Sequence, residues 1–148
     1  MHRAMVVDDH PFIRSTVKMI LKQENFEVVA EADNGWDGLQ LIREHLPDLV
    51  LLDISMPKMD GLGVLNRISD LELPVKVLVL TSLSSAFFSM RCMKAGAAGY
   101  VSKTDDLTEL VKAIGTVMSG YTFFPNLALK SGRRNDVQAS EQKLINSP

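Results

Sequence analysis

The sequence predicts a doubly wound α/β domain, a parallel sheet with helices on both faces, and three observations point there. Five short β-prone runs alternate with five segments that read as helices. The best of these runs are continuously apolar, as strands covered on both faces should be. Four of them end on chemically related polar residues: Ala4–Val7 on Asp8 and Asp9, Leu49–Leu52 on Asp53, Val77–Leu80 on Thr81, and Gly99–Val101 through Ser102 on Lys103. Open α/β sheets bind ligands at the carboxyl edge of their strands, so these side chains are expected to converge there.

The first strand is expected over Arg3–Val7. Pro11 suits the first turn of a helix, where a missing N–H costs nothing, and Ile13, Val17, Ile20 and Leu21 supply one apolar face. Phe26–Ala30 reads as the second strand. Asn34-Gly35 signals a turn; Leu39, Ile42 and Leu46 give the face of a second helix, which Pro47 stops. The third strand is Asp48–Asp53, followed by a loop from Met56 to Gly61 and a third helix through Leu65 and Ile68. Pro74 breaks the chain before a fourth strand at Val75–Leu80. Ser84 or Ser85 is expected to cap a fourth helix that ends near Ala95-Gly96. Ala97–Ser102 is the fifth strand. Thr104 is the expected N-cap of the last helix, with Asp105 and Asp106 in its first turn, where the helix dipole favours acids. Leu107, Leu110, Val111, Ile114, Val117 and Met118 form its apolar stripe.

At 148 residues the chain has room for one domain and a tail. Its 46% hydrophobic and 23% charged content is that of an ordinary globular protein. A net charge of −2 gives no bias toward nucleic acid or anionic membrane. Residues 126–148 hold four basic and two acidic residues of the 16 and 18 in the chain, which leaves a net −4 on residues 1–125. The single cysteine, Cys92, excludes an internal disulfide and is consistent with a reducing compartment. No stretch has the ~18 apolar residues of a membrane helix, and the N-terminus runs into Asp8-Asp9 too early for a signal peptide. A cytoplasmic protein is expected. After Pro125 the sequence turns rich in Ser, Asn, Gln and charge and reads as a linker or tail.

Asp8, Asp9 and Asp53 suit a hard cation with oxygen ligands, and Mg²⁺ fits because it accepts few protein ligands and keeps water or phosphate oxygens. Adjacent aspartates on an extended strand face opposite ways, so the chain must already turn at Asp9 for both to serve one ion. Clustered carboxylates repel, and a cation removes that repulsion while neutralising an incoming phosphoryl group. One carboxylate can then form an acyl phosphate. Asp53 is the best candidate, since it ends the central apolar run and a loop follows it. Thr81 would hydrogen-bond one phosphoryl oxygen and Lys103 would pair with another.

The segments VVDDHP, LVLLDISMPKMDG, VLVLTS and AGAAGYVSK, with their spacing, are similar to those of the receiver domain of two-component response regulators, over about residues 1–123. The DDHP and AGAAGYVSK wording resembles the NarL/FixJ-type subfamily. The resemblance implies a flavodoxin-like sheet of strand order 2-1-3-4-5. It implies that Asp53 accepts a phosphoryl group from a sensor histidine kinase or phosphotransfer domain, and that Asp8, Asp9, Asp53 and the backbone carbonyl of Ser55 hold Mg²⁺. Thr81 and Lys103 would contact the phosphoryl group, and Tyr100 would respond to Thr81. The implied output is transcriptional, through a switch of the helical surface and a phosphorylation-dependent homodimer. Two features depart from the pattern. Thr104 replaces the proline that often follows the site lysine, so a cis bond there would be costly. Residues 124–148, the expected linker, have no room for the subfamily's DNA-binding domain, so contact with DNA would need a domain beyond this chain.

A Mg²⁺-dependent phosphatase or phosphotransferase with an aspartyl phosphate intermediate is the alternative. Enzymes of the haloacid dehalogenase type place a second Asp two residues after the nucleophile, and here that residue is Ser55. A binding module with a vestigial site would not need the full set of site residues. No GxxxxGK or GxGxxG pattern supports a nucleotide site. The remaining conspicuous residues read as structural. His10 starts the first helix, because imidazole suits softer metals than Mg²⁺; Cys92 packs internally; Trp36 packs at a helix start. Phe87, Phe88, Met90 and Met93 pack the fourth helix, with a partner surface as the alternative for some of them, and Tyr121–Phe124 packs back on the domain, with a dimer contact as the alternative.

Overall fold

The computed structural model describes residues 1–83, 85–103, 107–125 and 127. Its elements are β1 (His2–Val7), α1 (Pro11–Gln23), β2 (Phe26–Ala32), α2 (Gly35–His45), β3 (Leu49–Leu52), α3 (Gly61–Asp70), β4 (Lys76–Thr81), α4 (Ala86–Lys94), β5 (Gly99–Ser102) and α5 (Leu107–Met118). The five strands form one parallel sheet in the order β2-β1-β3-β4-β5, the order the resemblance implied. The expected cap Thr104, the first-turn acids Asp105 and Asp106, the Lys103–Thr104 bond, Ser84 and nearly all of the tail lie outside the described residues.

The period-2 geometry of the strands divides the core into two layers. Met5, Val7, Val50, Leu52, Val77, Val79 and Tyr100 face α2, α3 and α4, where they meet Leu39, Ile42, Val64, Leu65, Ile68 and Cys92. Ala4, Val6, Leu49, Leu51, Leu78, Leu80 and Val101 face α1 and α5, where they meet Val17, Ile20, Leu21, Leu110, Ile114 and Val117. All four residues of β3 are buried, as a central parallel strand requires.

Caps set the helix starts. The Asn34, Asp60 and Ser85 side chains accept from the backbone N–H of Asp37, Gly63 and Phe87, which satisfies donors a first turn leaves free. The expected cap of α4 is thus Ser85. Four details differ from expectation. Leu46 is not on the buried face of α2; it is the C-cap, in a left-handed conformation (φ 45°) and 44% exposed, because Pro47 prevents another helical turn. Trp36 is 56% exposed, since the first turn of α2 turns it away from the sheet. Of the four large apolar residues expected to pack α4, Phe88 reaches the core, while Phe87, Met90 and Met93 are exposed. Tyr121 is also exposed, but Phe123 and Phe124 do fold back. The Phe123 N–H donates to the Ala98 carbonyl (2.9 Å), its carbonyl accepts from Tyr100 N–H (2.9 Å), and Phe124 and Leu127 reach the core.

Candidate functional site

The parallel ladder carries the site residues to one edge. Asp8 extends β1, its N–H donating to the Ala32 carbonyl at 3.0 Å, and Asp53 extends β3, its N–H donating to the Val7 carbonyl at 2.9 Å. Asp8 and Asp53 therefore follow two hydrogen-bonded neighbours, Val7 and Leu52, off the sheet side by side. Thr81 ends β4 opposite Ser102, and its carbonyl accepts from the Lys103 N–H at 2.6 Å.

The turn needed at Asp9 is present. Asp8 Oδ1 accepts from the His10 N–H (2.8 Å), which curls the chain as soon as the strand stops. Ligand atoms of Asp8, Asp9, His10 and Asp53 lie within 4.8 Å of one another. Lys103 Nζ is 2.8 Å from Asp8 Oδ2 and 3.2 Å from Asp53 Oδ2. The side chains of Asp8 and Asp53 are only 3% and 2% exposed, that of Lys103 8%, and that of Asp9 33%. Asp53 Oδ1 accepts from the Ser55 N–H at 3.3 Å, which places the backbone of Ser55 beside the carboxylate.

Burial pushes the Asp53 carboxyl above its ordinary value, and the Asp8 charge pushes the same way. The Lys103 ammonium, and then the Ser55 amide, offset part of this. Asp9 Oδ1 and Asp53 Oδ2 are buried and lack a geometrically adequate hydrogen bond. Oxygen atoms in that condition suit an oxygen-seeking cation, so Asp8, Asp9 and Asp53 fit Mg²⁺.

Thr81 is fully buried, and its Oγ1 accepts from the Leu83 N–H at 3.1 Å. The Tyr100 hydroxyl, inward and 1% exposed, donates to the Leu83 carbonyl. Burial pushes the Tyr100 hydroxyl up to about 12. Thr81 and Tyr100 thus hold the two polar atoms of one residue in the loop after β4.

Sequence reasoning missed three participants. The His10 ring lies in the cluster, its Nδ1 3.0 Å from Asp8 Oδ1, 3.2 Å from Asp9 Oδ1 and 3.0 Å from Lys103 Nζ. It starts α1 as expected, but its side chain makes no cap bond and turns to the carboxylates instead. The Arg14 guanidinium donates to the Asp8 carbonyl (2.7 Å) and to Glu31 (3.1 Å), which also binds Lys18 (2.7 Å). These cations hold the Glu31 carboxyl below its ordinary value, Lys18 foremost. Leu83, an apolar residue, enters through its backbone, which no side-chain pattern signals.

A family model for the response regulator receiver domain matches residues 4–115. The chain is 45% identical over 144 residues to BvgA of Bordetella pertussis, named a positive transcription regulator of virulence factors. That alignment covers 97% of this chain and 69% of BvgA. The structure is similar to the signal receiver domain of NarL from Mycobacterium tuberculosis, with a TM-score of 0.76 and 39% identity, over 80% of this chain and 97% of the other. It is also similar to a chain in the CheX–CheY–BeF₃–Mg²⁺ complex from Borrelia burgdorferi, with a TM-score of 0.76 and 26% identity, over 79% and 89% of the two chains.

Proposed function

The chain belongs to the response regulator receiver domain family, and on that premise we propose that Asp53 is the phospho-acceptor of a switch controlling transcription. One observation carries the assignment: a buried carboxylate whose Oδ2 is paired with the Lys103 ammonium at 3.2 Å, beside two further acids.

An Asp53 oxygen forms the new O–P bond while the donor's N–P bond breaks, the electron pair staying on the imidazole nitrogen of a histidine kinase or phosphotransfer domain. Asp8, Asp9, Asp53 and the Ser55 carbonyl would hold Mg²⁺, which supplies charge neutralisation between the carboxylates and the phosphoryl oxygens. Lys103 already spans Asp8 and Asp53, and shifts its charge to a phosphoryl oxygen. Thr81 turns its hydroxyl to another and lets go of the Leu83 N–H. The loop before α4 is then held by Tyr100 alone of the pair, and its equilibrium moves. The domain is a switch with slow loss of its own phosphoryl group, not a multiple-turnover phosphatase; Ser55 offers no general acid two residues past Asp53.

We assign residues 1–123 to the receiver and 124–148 to a linker toward a DNA-binding domain; the transcription regulator BvgA is longer than the matched region, which covers 69% of it. Phosphorylation would favour a homodimer. No described helix is long and apolar enough to cross a membrane, which is compatible with a cytoplasmic partner kinase. Intact mass after treatment with Mg²⁺ and acetyl phosphate tests the assignment. Wild type should gain one phosphoryl group and Asp53→Asn none; an unlabelled wild type, or a labelled Asp53→Asn, refutes it.

A further inference from the structure

The chain does not leave the domain where α5 ends. The backbone N–H groups of Gly120 and Tyr121 donate back to the Val117 and Thr116 carbonyls (3.0 and 3.1 Å), and Gly120 takes the left-handed conformation (φ 94°) that such a helix stop requires. The stop turns the chain onto β5, the last strand of the sheet. There Phe123 forms a parallel bridge with Gly99. Its N–H donates to the Ala98 carbonyl and its carbonyl accepts from the Tyr100 N–H, both at 2.9 Å. We propose that the β5 edge is a docking surface for the chain's own linker, and that phosphorylation of Asp53 loosens this docked strap through Tyr100. The second half rests on the phospho-acceptor reading; the first does not.

Backbone, sterics and packing each make the seat. An edge strand presents N–H and C=O groups that need partners, and Phe123 satisfies one of each. A Cβ at Gly99 would stand 3.0 Å from the Phe123 carbonyl oxygen and 3.3 Å from Phe123 Cβ, besides pressing on Leu78 at 2.7 Å, so a glycine there lets the strap close. Phe123 packs with the α1–α5 layer of the core, whereas Phe124, 9% exposed, and Leu127 pack with the layer under α2, α3 and α4. The strap thus crosses the sheet edge from one layer to the other. A slip by one residue would put both phenylalanines on the wrong side, which fixes the register.

Tyr100 ties this strap to the site. Its N–H is bonded to Phe123, its hydroxyl donates to the Leu83 carbonyl, and its ring lies in the same buried layer as Phe124. The Leu83 N–H is held in turn by Thr81 Oγ1 at 3.1 Å. A continuous path of bonds therefore runs from Thr81 through Leu83 and Tyr100 to Phe123. The strap is docked in the arrangement in which Thr81 holds Leu83, and a phosphoryl oxygen competes for that hydroxyl. When Leu83 moves it draws on the Tyr100 hydroxyl, and a ring only 1% exposed cannot shift without disturbing the layer that seats Phe124. The arrangement favoured by phosphorylation holds the strap less tightly.

Hydrogen exchange of the Tyr100 and Phe123 amides, followed by NMR in the full 148-residue chain, tests both halves. Both amides should be protected in untreated wild type. The Tyr100 amide should lose protection in Phe123→Pro, which removes the N–H that bonds Ala98. Mg²⁺ and acetyl phosphate should speed the exchange of both amides about tenfold in wild type, and leave it unchanged in Asp53→Asn. Tyr100→Phe, which cuts the tie to Leu83, should take the phosphoryl group with exchange at both positions unchanged. Coupling is reciprocal, so loosening the strap should tighten binding of beryllofluoride, a phosphoryl mimic, by about tenfold in the presence of Mg²⁺. Phe124→Ala supplies that chain; Leu127→Ala, at the half-buried end of the strap, gives a shift in the same direction if truncating Phe124 unfolds the domain. A Tyr100 amide that exchanges as fast in untreated wild type as in Phe123→Pro overturns the docking. Equal exchange before and after labelling, with one phosphoryl group shown by intact mass, overturns the release and leaves the phospho-acceptor reading standing. A wild type that takes no phosphoryl group overturns that reading and the release with it, while protected Tyr100 and Phe123 amides in the same chain uphold the docking.

Discussion

Gly61→Ala should disable the site without substituting a site residue. Gly61 opens α3, and its N–H donates to the Ile54 carbonyl at 2.8 Å. That bond folds the first turn of α3 against the peptide that follows Asp53. A Cβ added at Gly61 would stand 2.3 Å from the Asp53 carbonyl oxygen, 2.8 Å from Ile54 Cα and 3.0 Å from the Asp53 carbonyl carbon. Ordinary contact begins near 3.4 Å, so about 1 Å must be made up. Every atom in the way is backbone, so no rotamer change relieves the clash. Overpacking of this kind costs about 1–3 kcal/mol, and the better helix propensity of alanine returns less than about 1 kcal/mol. A net loss of about 1–2 kcal/mol should lower Tm by roughly 3–8 °C. Displacing a reacting group by about 1 Å costs on the order of 10²-fold in rate. The assay is single-turnover labelling by acetyl phosphate at saturating Mg²⁺, well below the variant's Tm. Gly115→Ala is the control, because nothing lies within 4 Å of a Cβ on that exposed turn of α5. It should label normally and gain about 0.5–1 kcal/mol from helix propensity. A Gly61→Ala variant with wild-type Tm and labelling rate would refute the claim that α3 is seated on the Asp53 peptide.

Two further outcomes follow from the same geometry. Tyr100→Phe leaves the Leu83 carbonyl without its donor and should cost about 1 kcal/mol at pH 8. The Tyr100 hydroxyl is pushed up to about 12 from 10, so its stabilisation is present below pH 10 and lost as pH rises toward 12. The stability gap between wild type and Tyr100→Phe in urea should therefore narrow over that window, and a gap that widens contradicts the buried neutral hydroxyl. Asn34→Ala removes a buried cap that accepts from Asp37 N–H at 2.9 Å and donates to the Asp33 and Asp37 carboxylates. It should cost about 1–2 kcal/mol by chemical denaturation, and an unchanged midpoint would mean the cap contributes nothing.

The sequence by itself determined the layers and the edge. Continuous apolar runs at Leu49–Leu52 and Val77–Leu80 mark strands with two covered faces, and helical periodicity marks what covers them. Because parallel strands end at one edge, polar residues placed after those runs had to gather there. Periodicity reports which face of a segment is buried, and nothing more. It misplaced Leu46, because proline geometry overrode the apolar spacing; Trp36, expected to pack from its place after the Asn34-Gly35 turn, is exposed because a residue at a helix start can turn either way. Only the tertiary structure brought the His10 ring to Lys103, 93 residues along the chain, and the Arg14 guanidinium to the Asp8 carbonyl. Contacts within 3 Å depend on rotamers and on how separate elements are seated. Those are settled by packing, not by the local pattern that encodes each element.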